Sequence, residues 1–211
     1  MKIPFFTAFV FLALSLNAQD KQTQIPSPEI QIKTANLAAP EDLRDATRVY
    51  GYDREGNFTL LREGTNNLVC VGDDPNQEGI NVSCYSVKLE PFINRGRELT
   101  AEGLGEMEKR EARQLEAESG DLEMPDAPSM MYIYSGNQED YDPATGDLKN
   151  GHFRYVIYIP YATTESTGLP DKPHAPGMPW LMDPGTHRAH IMITPPRDQP
   201  KEEPKDHSKD H

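Results

Sequence analysis

The chain has 211 residues, a length that suits one domain with ragged ends. Its 21 Lys and Arg against 34 Asp and Glu give a net charge of −13. That balance disfavours nucleic acid and anionic membranes as partners, because Lys and Arg supply the affinity for phosphate.

The first element in chain order is an export signal. Lys2 supplies a positive start, and the uncharged run from Phe5 to Leu16 follows. A bilayer-spanning helix needs roughly 20 apolar residues, so this shorter run fits the apolar core of a secretory signal. Ala18 puts a small residue at the cleavage point, followed by polar Gln19-Asp20-Lys21-Gln22. Residues 1–18 are therefore expected to be a signal peptide, and the protein to be exported to the periplasm or the exterior. An uncleaved anchor is the alternative for this segment. No later stretch is apolar enough to span a membrane, so the protein is not expected to be an integral membrane protein. After cleavage, Leu, Ile, Val and Phe make up only about 17% of the chain, below the roughly 20% that flags disorder in a highly charged sequence. The nine Tyr and the Met residues offset this deficit. An ordered centre with disordered tails is expected.

Residues 19–35 are polar, with Pro26 and Pro28, and read as an extended leader. Pro40 to Arg44 opens as a short helix. Arg48–Tyr52 and Asn57–Leu61 flank an Asp53-Arg54-Glu55-Gly56 turn and read as a β-hairpin. A third strand is expected over Asn67–Val71 and a fourth over Asn81–Lys88. Cys70 and Cys84 fall in these two strands, with a turn-rich segment between them. In an oxidising compartment such a pair forms a disulfide; free or metal-bound thiols are the alternative.

Thr100–Glu118 reads as one charged surface helix, capped by Thr100 and ended by Gly120. Its apolar stripe of Leu104, Met107, Ala112 and Leu115 is narrow, and Arg110 and Arg113 belong to the polar remainder. Met130–Tyr134 is a strand. The polar loop that follows carries Asp140, Asp142 and Asp147 but departs from a calcium loop. Ala144 stands where an oxygen ligand belongs, and Gly151 stands where the closing Glu belongs. Phe153–Tyr161 is the strongest strand, the segment 163–185 is turn-rich, and His190–Ile193 is a last strand. Pro195 onward reads as a disordered tail. The fold class is α+β: a small antiparallel sheet with one charged surface helix, in a single domain over residues 36–194.

The segment from Gly168 to Met192 gathers the unusual residues, and a long loop of this kind is often a binding element. Trp180 beside Tyr158, Tyr161 and Arg188 suggests a ligand groove, against the simpler reading of these aromatics as core. His174, Asp183, His187 and His190 are the candidate metal ligands. On a strand, however, His187 and His190 point to opposite faces. No Gly-x-Ser-x-Gly elbow is present. The leading expectation is a non-enzymatic domain that binds a small ligand or a cell-envelope protein, with no resident cofactor. The alternatives are a hydrolase using zinc or another divalent metal at the 174–190 residues, and a structural cell-envelope component.

Two stretches resemble a known group. One is Arg62-Glu63-Gly64-Thr65-Asn66 followed by Cys70, Asp73-Asp74-Pro75 and Cys84. The other is Leu89-Glu90-Pro91-Phe92 followed by Arg95-Gly96-Arg97-Glu98-Leu99. Together they resemble short exported bacterial proteins of unassigned function, over residues 45–135 and the segment from Pro179-Trp180 to His190. The resemblance implies a single exported domain and carries over no catalytic residues.

Overall fold

The structure, a computed structural model, describes residues 25–197. The expected signal peptide and nearly all of the expected C-terminal tail lie outside the described residues.

The chain enters through helix α1 (Pro28–Ala35). The expected extended leader is thus helical over its last turns. Ser27 caps the helix and Pro28 occupies its first turn, where a missing N–H costs nothing. The helix belongs to the core, upstream of the expected boundary at residue 36: Ala35 is fully buried, and Gln31 and Thr34 are buried polar residues with partners. Gln31 acts as a strand edge. Its Nε2 donates to the Tyr52 carbonyl at 2.9 Å, and its Oε1 accepts from the Tyr52 N–H at 2.8 Å. Two 3-10 turns follow, Asn36–Ala38 and Glu41–Ala46, the second where a short helix was expected.

The expected strands are all present: β1 (Arg48–Tyr52), β2 (Phe58–Arg62), β3 (Leu68–Val71), β4 (Ile80–Ser86) and β5 (Ser129–Gly136). A separate two-stranded ribbon, β6 (Tyr141–Asp142) and β7 (Asp147–Leu148), lies in the polar loop. The main sheet continues with β8 (His152–Tyr158), β9 (Trp180–Met182) and β10 (His190–Ile193). Its order is β2-β1-β3-β4-β5-β8-β10-β9. The sheet has eight strands and is mixed, so it is neither small nor wholly antiparallel. β3 runs parallel to β1, and β9 supplies an edge from within the turn-rich segment.

The expected helix over 100–118 is α3 (Glu106–Ser119), which starts six residues later, and it is preceded by a second helix that the sequence reading does not anticipate, α2 (Glu90–Ala101). Gly103 takes a positive φ of 87° and breaks the run. Thr100 is not a cap but sits inside α2, donating to the Gly96 carbonyl at 2.9 Å. The cap of α3 is Gly105, whose N–H donates to Glu108 Oε2 at 2.8 Å. Arg95 of α2 ties the pair together through both oxygens of Glu116 on α3.

Alternation along the strands gives the sheet two apolar faces. On one, Val49, Leu68, Cys70, Ile80, Val82 and Cys84 pack with Ala35, Ala38 and Ala39. On the other, Val69, Tyr85, Val156 and Tyr158 pack with Leu89, Phe92 and Leu122. Cys70 and Cys84 are direct cross-strand partners and form the expected disulfide, with an S–S distance of 2.04 Å. No helix among the described residues is long and apolar enough to cross a membrane.

Candidate functional site

The site lies where α3 passes the turn leading into β10. That turn is stapled by backbone bonds: Tyr161 N–H to the Thr186 carbonyl, Gly185 N–H to the Ala162 carbonyl, and Ala189 N–H to the Thr186 carbonyl. Asp183 and Gly185 both take positive φ, at 54° and 75°. A positive φ at Asp183 is a strained position of the kind found at functional turns. The staples fix the direction of His187 and Arg188, which would be free on an open loop.

His187 is almost fully buried, at 1% exposure, beneath α3. Gln114 Oε1 accepts from the His187 backbone N–H at 3.2 Å, which identifies that end of the amide as oxygen. The same oxygen lies 2.5 Å from His187 Nδ1. An amide oxygen cannot donate, so Nδ1 carries the ring proton and Nε2 holds a bare lone pair. That Nε2 is buried and has no partner. Burial, followed by the positive charges of Arg113 and Arg188, pushes the His187 pKa down to about 4, so the ring is neutral near pH 7.

Behind the turn is a layer of stacked rings. Phe92 lies edge-on to His187 at 5.7 Å and against Tyr158 at 5.4 Å, and the Arg113 guanidinium sits 4.4 Å over the Phe92 ring. His190 packs on Tyr158, its Nδ1 2.7 Å from the Arg188 carbonyl, and burial lowers its pKa. Burial raises the pKa of Tyr158 and lowers that of Arg113.

In front of the turn is a cleft of about 470 Å³ lined by Arg110, Glu111, Gln114, Leu115, Asp183, Thr186, His187 and Arg188. Asp183 Oδ2 lies 3.0 Å from Arg188 Nε. At that separation the charges attract, yet neither atom makes a well-directed hydrogen bond. Among the described residues, the buried side-chain polar atoms without a hydrogen-bond partner are Arg110 Nε, Asp183 Oδ2, His187 Nε2 and Arg188 Nε. Every one belongs to a residue lining this cleft. Neither Arg110 nor Arg113 has an ion-pair partner among the described residues.

The expected site residues are divided by the fold. Asp183, His187 and Arg188 come together at the cleft. Tyr158 and His190 lie behind it in the core. Trp180 sits half-buried on the edge strand β9, opposite Met192, and Tyr161 contributes a backbone N–H to the turn; neither lines the cleft. His174 is exposed in the loop before β9. No group of three or more His, Cys, Asp or Glu among the described residues is arranged to hold a metal ion. The hydrolase reading therefore has no metal centre there: the four expected ligands do not converge, and Nδ1 of both His187 and His190 is engaged. Asp140, Asp142 and Asp147 are likewise committed to Asn150, the Ala144 N–H and Lys33.

The side chains that sequence reasoning misses are Phe92, Arg110, Arg113 and Gln114. Arg110, Arg113 and Gln114 share one face of α3 by their spacing of three and four, a signal readable in sequence. The expected solvated side is instead partly covered, and Arg113 is only 9% exposed. The fold and site define an α+β domain with a cleft between α3 and the 183–188 turn. No family model, curated protein or solved structure matches the chain.

Proposed function

We propose that the protein is a non-enzymatic binding protein whose site for a small polar ligand is the cleft between α3 and the 183–188 turn. The observation that carries this reading is that two buried side-chain polar atoms of the cleft residues, Arg110 Nε on α3 and His187 Nε2 on the turn, have neither a hydrogen-bond nor an ion-pair partner among the described residues. Buried polar groups are nearly always satisfied, and each exception costs about 1–3 kcal/mol. Two such exceptions beside one cleft, one on α3 and one on the turn, suit a guest that completes them. The volume lies in the range of small-molecule sites, roughly 300–1,000 Å³.

Export is part of the same proposal. Its supports are the signal-like run at residues 5–16 and the Cys70–Cys84 disulfide, which suits an oxidising compartment. The resemblance to short exported bacterial proteins points the same way. Mass spectrometry of the secreted or periplasmic product should show a chain starting at Gln19; an intact Met1 would contradict it.

The binding reading is tested by amide NMR against a library of small polar compounds. Hits should shift residues 110–115 and 183–188 together. Shifts that consistently fall elsewhere, or a library that moves nothing, would remove the cleft as the site.

A further inference from the structure

We infer that Asn150–Gly151 is a site of self-modification, where the chain converts its own asparagine to aspartate and isoaspartate, and that Asp140 holds this reaction in check. The site lies outside the cleft and does not depend on it.

The sequence supplies the reactive pair. Asn150 is followed by glycine, and every other asparagine by a residue with a side chain. The backbone nitrogen after an asparagine reaches the side-chain amide carbon most readily when no Cβ stands in the way. Asn150 is exposed. The Gly151 N–H, just ahead of β8, makes no hydrogen bond among the described residues.

The fold holds the pair in place. Asn150 has a φ of 53°, a left-handed conformation that asparagine adopts more readily than most residues. A Cβ at position 151 would collide with the Tyr134 ring, so the bare backbone is needed there. Asn150 Nδ2 donates to Asp140 Oδ1 at 2.8 Å, and the Lys149 N–H donates to the Asp140 carbonyl at 2.9 Å. To react, the amide must swing over its own backbone, and the bond to Asp140 ties it down.

The Gly151 nitrogen bonds to Asn150 Cγ. The Cγ–Nδ2 bond breaks, and Nδ2 leaves as ammonia with the proton given up by Gly151. Water, the one co-reactant, then opens the cyclic imide at either carbonyl. One opening gives aspartate; the other routes the backbone through the side chain as isoaspartate. Either product sets a carboxylate against Asp140 where an amide had donated, so attraction becomes like-charge repulsion. Isoaspartate also lengthens the backbone just before His152, the residue of β8 paired with Ser135.

The test is incubation of the full protein at pH 7, followed by peptide mapping with mass spectrometry that separates isoaspartate from aspartate. Residue 150 should convert before any other asparagine. Asp140→Ala should convert about two- to tenfold faster, the change that one lost hydrogen bond makes to a local opening equilibrium. Dispersed amide signals would confirm that the variant is folded. Wild-type protein unfolded in urea gives the unguarded rate, which should also exceed the native one. An intact amide at residue 150 after other asparagines have converted would overturn the site. An Asp140→Ala rate no greater than that of the wild type, or an unfolded chain that converts no faster than the native protein, would overturn the guarding role of Asp140.

Discussion

Acid should weaken this protein through His187 in a way that one substitution removes. The folded ring has its pKa held near 4, against an ordinary value of 6.5. Between those values the unfolded chain takes up a proton that the folded one refuses. Stability is therefore complete above about pH 6.5 and falls as the pH drops toward 4. Each tenfold difference in proton affinity between the two states is worth about 1.4 kcal/mol, so the loss is about 2 kcal/mol by pH 5 and at most about 3 kcal/mol by pH 4. It is an upper bound because the ring borders an open cleft. Asp183 and Glu118 favour the charged ring but are outweighed by burial and the two arginines. The comparison is His187→Asn, whose amide N–H can still reach Gln114 but cannot titrate. Urea unfolding of both proteins at pH 7, 6 and 5, at fixed ionic strength, cancels the titrations they share, including that of His190. The wild type's advantage over the variant should shrink from pH 7 to pH 5 by up to about 2 kcal/mol. A constant gap would refute the lowered proton affinity of the buried His187.

Three further outcomes follow from the fold. The double substitution Cys70→Ala, Cys84→Ala should lower stability by about 3 kcal/mol, seen as a fall in the urea midpoint; an unchanged midpoint would deny the crosslink any role. Gln31→Ala should cost about 2–3 kcal/mol, because it strands both the N–H and the carbonyl of Tyr52 at the end of β1. Faster amide exchange at Tyr52 is the local check. Glu108→Ala should cost about 0.5–1 kcal/mol by removing the acceptor of the Gly105 N–H at the start of α3, read as a small loss of helical circular dichroism on warming.

The strands are legible in the sequence where alternation and turn chemistry agree. β1, β2, β8 and β10 lie within a residue or a few of their expected bounds, and the cross-strand cysteines are readable from compartment logic. α1 is hidden because it is held by buried polar groups. Gln31, Thr34 and Asn36 are inside, and no apolar period marks them. The late start of α3 is hidden because Gly103 and Gly105 read as weak points of its first turn, and α2 is hidden because Pro91 and Gly96 interrupt its helical pattern. Gly96 shows what such an interruption accomplishes. A Cβ there would come 3.0 Å from Arg113 Nη1, so the bare backbone lets Arg113 reach in over Phe92. That packing turns a face that reads as solvated into the wall of the cleft. Asp183, His187 and Arg188 stand out in sequence, but their partners on α3 become visible only once the two helices fold back on the sheet.

The position of the disulfide sets an order of events. Both cysteines are fully buried, and Cys84 Sγ lies 3.4 Å from the Ala35 carbonyl oxygen, under the segment formed by α1 and the turn after it. Oxidation has to come before that segment closes over the sheet, and no reductant reaches the sulfurs until it lifts. Thiol exchange needs direct attack on sulfur. The rate at which dilute reductant breaks Cys70–Cys84 therefore counts the excursions of the N-terminal segment away from the sheet, a motion far smaller than global unfolding. The crosslink is a built-in clock for the opening of one edge of the molecule.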